Sequence, residues 1–371
     1  MENPNYNWNN YSMEHVLNIQ EQQVDPIEWH DPKNDPFKVN GFAWFDKEKE
    51  YRRMPKHSVM ELPICVDELA NCTSGGQIRF KTDSTKLLLK TRLSGVADIG
   101  HMAATGQSGF DIYIGEPGKQ HYLATAIPPI HEKTYEAMLW DFTSTSSELR
   151  EVTINLPLYQ GIEELLIGIE PDAIIEAPTS YISNKRALFY GTSITQGGSA
   201  SRPGMSYTNI LSRRFQLEFI NLGFSGSGKG EREVALTIRD IENPACLVID
   251  YEANVTPDEY EKTLVSFIEI YREQHPLVPI MVMSRIPHAL DILPEQNLET
   301  MRRRNHSKKV VDQFKQNGDS HIVFVDGSKL LGMRWHEGTV DGVHPNDYGF
   351  MKMANGLEAP LWSMLKSVGV V

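Results

Sequence analysis

The chain is poor in the features that would place it in a membrane, in a disulfide scaffold or on nucleic acid. No window approaches the ~20 consecutive apolar residues of a membrane-spanning helix, so a membrane partner is not expected. The first residues, Met1-Glu2-Asn3-Pro4-Asn5-Tyr6-Asn7-Trp8, are polar and lack a basic segment followed by an apolar stretch, which argues against a secretory signal. Cysteine is scarce: Cys65, Cys72 and Cys246 form an odd set without metal-ligand spacing. Cys246 lies in the apolar run Ala245–Ile249 and reads as a buried free thiol, while nothing beyond proximity supports a Cys65–Cys72 pair. A reducing, cytoplasmic setting is the expectation. Positive charge is also short, with 36 Lys+Arg against 49 Asp+Glu and a net charge of −13. Such a balance opposes binding to phosphate backbones and leaves nucleic acid out of the expected partners. Arg302-Arg303-Arg304 reads as a solvated part of a helix.

What is present is an ordinary globular composition, 40% apolar and 23% charged over 371 residues. That length exceeds the ~250–300 residues at which single cores stop growing, so two domains are expected. Between about Gly76 and Glu170, short segments (Gln77–Lys81, Lys86–Lys90, Phe110–Ile114, Glu151–Leu156, Leu165–Glu170) are separated by turn-rich pieces and almost lack helical periodicity. This texture predicts an antiparallel sheet or sandwich. After Lys185, apolar runs (Ala187–Tyr190, Glu218–Leu222, Ala245–Asp250, Val278–Ser284, Ile322–Val325) alternate with helical patterns such as Met205–Phe215 and Tyr260–Tyr271. Alternation of that kind predicts an α/β domain with a parallel sheet covered on both faces. The boundary falls near Ser183–Lys185, giving an N-terminal unit of residues 1–183 and a C-terminal unit of 184–371. The first ~40 residues, rich in Asn, Asp and Pro, read as irregular chain.

Four loops of the second unit carry candidate chemistry. Ser193, in Gly191-Thr192-Ser193-Ile194-Thr195, stands just beyond an apolar run, and ligands of parallel sheets bind at carboxyl ends of strands. Near the C-terminus, Asp341-Gly342-Val343-His344-Pro345 offers an imidazole general base and a carboxylate to orient it. Acyl transfer also needs preorganised donors for an oxyanion. Gly226 in Asn221-Leu222-Gly223-Phe224-Ser225-Gly226 and Asn254, four residues past Asp250, are candidates beside the Ser193 N–H. Each element alone has a bland reading as cap, turn or loop; their order and placement point together to a serine esterase.

These residues resemble the four blocks of the SGNH/GDSL hydrolases, matched here by Ser193, Gly226, Asn254 and His344 over roughly 185–365. Gly109-Phe110-Asp111-Ile112-Tyr113 is similar to the Gly-x-Asp-Leu-Tyr segment of a β-rich domain that precedes certain SGNH domains. The resemblance implies a flavodoxin-like three-layer α/β/α catalytic domain behind a β-sandwich, with Ser193, His344 and Asp341 catalytic and Ser193, Gly226 and Asn254 forming the oxyanion hole. Thr192 replaces the usual Asp before the serine, and Ala253 and Val255 flank Asn254 where many members have Gly-x-Asn-Asp. The implied substrate is a small carboxylic ester, with short-chain and acetylated-sugar esters foremost. Lysophospholipase or thioesterase activity, or an inactive carbohydrate-binding protein, are the alternatives.

Arg285 and His288 follow the fourth strand-like run and are candidate substrate contacts. His101, His131 and His336 lack metal-ligand spacing, so neither metal nor cofactor is expected. Gly223, Gly228 and Lys229 have phosphate-loop spacing, but Gly230 stands where that motif needs a hydroxyl. The aromatic group Phe42, Trp44 and Phe45 reads as a sugar platform or, more simply, as an interdomain plug. Oligomeric state is left open.

Overall fold

The computed structural model describes residues 26–143 and 147–371; the expectation of irregular chain over the first 25 residues lies outside them. The front half is built from β1 (Glu28–His30), β2 (Lys38–Asn40), β3 (Gln77–Thr82), β4 (Lys86–Leu93), β5 (Phe110–Ile114), β6 (His121–Ala126), β7 (Thr134–Asp141), β8 (Arg150–Asn155), β9 (Ile162–Ile169) and β10 (Ile175–Glu176). They form two antiparallel sheets, ordered β1-β9-β4-β7 and β10-β3-β8-β5-β6, with β2 added on β3. Side chains alternate across each strand, so Leu87, Leu89 and Leu93 of β4 point inward. They meet Phe80, Phe110, Ile112 and Ile154 from the other sheet in one core. This is a sandwich.

The rear half carries β11 (Arg186–Gly191), β12 (Glu218–Gly223), β13 (Pro244–Asp250), β14 (Ile280–Met283) and β15 (Ile322–Val325). All are parallel, in the order β12-β11-β13-β14-β15. Nearly all side chains of β11 to β14 are buried on both faces, while the edge strand β15 is partly exposed. Leu188, Tyr190, Leu247 and Ile249 pack against helices Arg232–Arg239 and Pro257–Gln274. Ala187, Phe189, Cys246 and Val248 pack against Tyr207–Phe215 and Asp347–Ser367. The chain leaves β11 toward β12 and then crosses to β13 on its other side, so a topological switch point lies beside the carboxyl end of β11. Among the described residues, no helix is long and apolar enough to cross a membrane.

The sandwich is fastened to the loops of the parallel sheet by buried polar contacts. Asp111, fully buried, accepts from Arg202 Nη1 (2.5 Å), the Gly204 N–H (2.9 Å) and Asn155 Nδ2 (2.8 Å). Arg202 also donates to the Tyr113 hydroxyl (2.7 Å). The Asp and Tyr of the Gly-x-Asp-x-Tyr segment therefore grip the chain a few residues after Ser193. Arg53, also fully buried, donates to the carbonyls of Cys72 (2.8 Å), Leu69 (2.6 Å) and Gly223, and lies over the Phe224 ring. It ties the end of β12 to the front half.

Several expectations are refined. Strands β6 and β7 and the short edge strands were not apparent in the sequence. Phe42 and Phe45 are core residues, so the aromatic group acts as a plug rather than a platform. Arg302 and Arg304 lie on the helix Pro294–Gln316 as expected, but Arg303 between them is buried, because its helix face turns inward toward Glu252 and the Val255 carbonyl. All three cysteines are free, with Cys246 buried.

Candidate active site

β11 ends at Gly191, where a Cβ would stand 2.2 Å from the Thr195 hydroxyl, so only glycine permits the tight exit. Thr192 then caps a single helical turn, Ser193–Gln196, by accepting the Ile194 N–H at 3.2 Å. This places Ser193 at the first position of the turn, partly exposed. Its Oγ lies 2.9 Å from His344 Nε2. His344 Nδ1 lies 2.7 Å from Asp341 Oδ2, and Asp341 Oδ1 accepts the backbone N–H groups of Val343 (3.0 Å) and His344 (2.7 Å). Partial burial works against charge on Asp341, but the hydrogen bonds from the His344 ring and from the two N–H groups outweigh it and hold the carboxyl at about 2. The turn itself is braced by the Val340 N–H on the His344 carbonyl (2.9 Å) and the Ala289 N–H on the Gly342 carbonyl (2.7 Å).

The Ser193 turn is held from several sides. Gln196 Oε1 accepts the Ser225 N–H (3.0 Å), and Gln196 Nε2 donates to the Leu158 carbonyl (3.2 Å). The Ser74 hydroxyl donates to the Gln196 carbonyl (2.6 Å), and the Tyr159 hydroxyl to the Ser193 carbonyl (3.3 Å). Ser74, Leu158 and Tyr159 all belong to the front half. From that half also comes His101, whose ring stacks on His344 with centroids 4.9 Å apart and planes 23° apart.

Below the turn, Thr195 Oγ1 donates to Asp250 Oδ2 (3.0 Å), with the Tyr207 hydroxyl 3.4 Å from the same oxygen. Burial pushes the Asp250 carboxyl up from 3.8 to about 7, against the two hydroxyl donors. A raised folded-state value means that the native state holds its proton longer than the unfolded chain. The associated stability is complete below about 4 and is lost as pH rises toward 7. Asp250→Asn, which keeps an oxygen for both hydroxyls, is therefore expected to raise Tm at pH 8 and to leave it nearly unchanged at pH 4. The gap from 3.8 to about 7 corresponds to ~4 kcal/mol as an upper bound. Thermal unfolding at the two pH values checks this; equal effects at both would refute it.

The β12 loop sits over the same site. Gly223 and Gly228 pack so closely here that a Cβ would fall 2.2 Å from the Gln196 nitrogen of the Ser193 turn in the first case and 2.2 Å from the Gly191 carbonyl at the end of β11 in the second. Their spacing thus follows from packing, and Lys229 is exposed rather than folded over a phosphate cradle. Gly226 is at the tip with φ +65°, and open space lies where a Cβ would stand. Asn254 differs from the expectation of an oxyanion donor. Its Nδ2 already donates to the carbonyls of Phe224 (3.2 Å) and Gly228 (3.0 Å), so both amide hydrogens hold the loop that carries Gly226.

Arg285 also departs from expectation: it does not face a substrate. Buried, it donates to both oxygens of Asp291 (3.0 and 2.5 Å), to the Ile286 carbonyl (3.0 Å) and to the Thr300 hydroxyl. A guanidinium removed from water needs such a bidentate partner, and Asp291 supplies it. His288, on the same loop, is pushed down to about 3 by burial and then by the Arg285 charge, so its imidazole is neutral. Among the described residues its Nε2 has no hydrogen-bond partner. His131, on a turn, and His336, in the short 3-10 helix Trp335–Gly338, are exposed and lie outside this constellation.

Comparison with known proteins agrees with this architecture. Residues 184–361 match the GDSL-like lipase/acylhydrolase family, and residues 27–175 match the family described as the N-terminus of Esterase_SGNH_hydro-type. No protein of curated function matches the sequence. Among solved structures, one from Bacteroides ovatus assigned as a GDSL-like lipase is 30% identical, with a TM-score of 0.85, over 92% of this chain and 98% of that one. A salicylyl-acyltransferase from a tetracycline biosynthetic pathway is 21% identical, with a TM-score of 0.73, over 91% and 97%. An acetyl xylan esterase from Butyrivibrio proteoclasticus is 13% identical, with a TM-score of 0.57, over 92% and 99%. The latter two share the fold. The two matched segments and the Bacteroides relative make this chain a member of the GDSL-like lipase/acylhydrolase family, a carboxylic ester hydrolase with a GxDLY-type β-rich front.

Proposed function

We propose that this chain hydrolyses short-chain carboxylic esters, acetyl esters of carbohydrates foremost, through Ser193, His344 and Asp341. The observation that carries the reading is the continuous relay from Ser193 Oγ to His344 Nε2 (2.9 Å) and from His344 Nδ1 to Asp341 Oδ2 (2.7 Å). His344 takes the Ser193 proton as Oγ attacks the ester carbonyl, and Asp341 balances the imidazolium that forms. The backbone N–H groups of Ser193 and Gly226 bind the oxyanion, with Asn254 fixing the Gly226 loop; Asn254 reaches the oxyanion only by releasing one of its two carbonyls. His344 then returns its proton to the leaving alcohol, and water, deprotonated by the same ring, hydrolyses the acyl-enzyme. The His288 imidazole is neutral and its Nε2 is buried as well as unpartnered, so His288 meets a substrate only if its loop shifts to uncover that atom. The functional units divide at 183/184, the sandwich bracing the nucleophile turn. The acetyl xylan esterase of like fold supports the carbohydrate preference.

A second reading, a lysophospholipase or thioesterase, is favoured by one feature. Beyond Ala289, which bonds the triad turn, Leu290 and Ile292 are 61% and 78% exposed. Such an apolar rim suits a longer acyl chain. A fluorophosphonate probe followed by peptide mass mapping is expected to modify Ser193, and p-nitrophenyl esters from acetate to decanoate then rank the acyl groups. Highest kcat/KM on acetate, with release of acetate from acetylated xylo-oligosaccharides, supports the first reading. An optimum at eight or more carbons supports the second, and a chain that takes no label at Ser193 removes both.

A further inference from the structure

We propose that His101, Asp341 and His344 form a binding site for a divalent zinc-type cation that switches the enzyme off, a step that rests on the catalytic reading of His344. Two imidazoles and a carboxylate, drawn from both halves of the chain, place one ligand atom each within 4.8 Å of one another. This donor set suits a borderline-soft ion such as Zn²⁺, which binds three protein groups and keeps a fourth position for water. The site is open to solvent: His101 and Asp341 are exposed, and His344 is partly so. No hydrogen bond to another described residue occupies the ring nitrogens of His101, whose backbone carbonyl is held by the Ser199 hydroxyl (3.2 Å). Stacking alone leaves those nitrogens without a task.

The geometry needs only small adjustments. Ligand atoms around tetrahedral zinc stand about 3.3 Å apart, given bonds of ~2.0–2.1 Å. The Asp341 Oδ2–His344 Nδ1 pair, now at 2.7 Å, opens by roughly half an ångström. The exposed His101 ring then turns toward both.

The consequence for catalysis follows from the two ring nitrogens. A neutral imidazole that ligates through Nδ1 carries its proton on Nε2. That is the atom beside Ser193 Oγ. With zinc bound, the Nδ1 proton relocates to Nε2 through solvent, Nε2 becomes a donor, and the Ser193 hydroxyl has no base. The ion takes the place of a proton between Asp341 and His344 and leaves the rest of the site intact.

Calorimetric titration of zinc chloride into Ser193→Ala protein reads the site without depending on turnover. One ion per chain is expected to bind in the micromolar range. His101→Phe, which keeps a ring to stack on His344 but removes both nitrogens, is expected to bind at least about tenfold more weakly, and His101→Ala likewise. In the catalytically intact chain, micromolar zinc is expected to suppress p-nitrophenyl acetate hydrolysis and EDTA to restore it. Absence of a binding heat with Ser193→Ala, or undiminished affinity in both His101 variants, overturns the proposal. A chain that hydrolyses no ester even without zinc overturns the esterase reading, while the titration still decides whether the ion binds.

Discussion

Ser193→Ala is expected to lower kcat on p-nitrophenyl acetate by about 10⁶ while leaving Tm essentially unchanged. The two halves of this outcome have separate causes. Chemically, the Ser193 Oγ is the hydroxyl aligned with His344 Nε2, at 2.9 Å. Without it, the imidazole can activate only a water that is not held in place. Structurally, the hydroxyl supports nothing. The turn is capped by Thr192, and the Ser193 carbonyl is held by Tyr159 and by the Gly198 N–H, none of which touches Oγ. A variant that unfolds early would therefore mean that the loss of rate reports on the fold. A variant with ordinary stability and near-native kcat would remove Ser193 from the mechanism. A surviving rate of about 10³–10⁴-fold above water is expected from the backbone N–H groups proposed to bind the oxyanion.

Much of this arrangement is legible in the sequence because local pattern and position coincide. Phe110–Ile114 and Ile322–Val325 read as strands and are strands with the same limits, although Asp111 and Tyr113 are buried where alternation would expose them and only Ile322 of the apolar run is fully buried. Ser193 and His344 lie 151 residues apart, yet each sits in a compact motif, Ser193 just beyond an apolar run and His344 in the last loop. β6 and β7 escape notice for a physical reason. His121–Ala126 faces solvent over most of its length, and in Thr134–Asp141 the inward pattern is broken where its pairing with β4 slips between Leu87 and Leu88. Arg285 is ambiguous in the sequence because a cation at a strand end looks the same whether it faces a cleft or pairs with Asp291 six residues on. His101 was out of reach altogether: it meets His344 only when two separately patterned halves dock. The Gly-x-Asp-x-Tyr segment was recognisable, but its grip on Arg202 was not.

Asp341→Asn is expected to lower kcat by about 10⁴ at neutral pH, and more than Asp341→Ala does. The reason lies in how the turn would orient the amide. Oδ1 of Asp341 accepts two backbone N–H groups, those of Val343 and His344. Asparagine can satisfy both only by placing its oxygen there, which turns its NH₂ toward His344 Nδ1. Nδ1 must then accept a hydrogen bond, so the ring proton moves to Nε2, and Nε2 can no longer take the proton of Ser193. Alanine imposes no tautomer: Nδ1 faces solvent, water can accept its proton, and part of the base function survives. Kinetics for the three proteins, together with ¹⁵N chemical shifts of the His344 ring, check the argument. The wild-type carboxyl, held at about 2, stays ionised throughout the working range, so the gap between wild type and Asn should stay constant with pH wherever His344 is neutral. An Asn variant faster than the Ala variant, or one whose ring keeps its proton on Nδ1, would show that Asp341 acts through charge alone and not through the choice of tautomer.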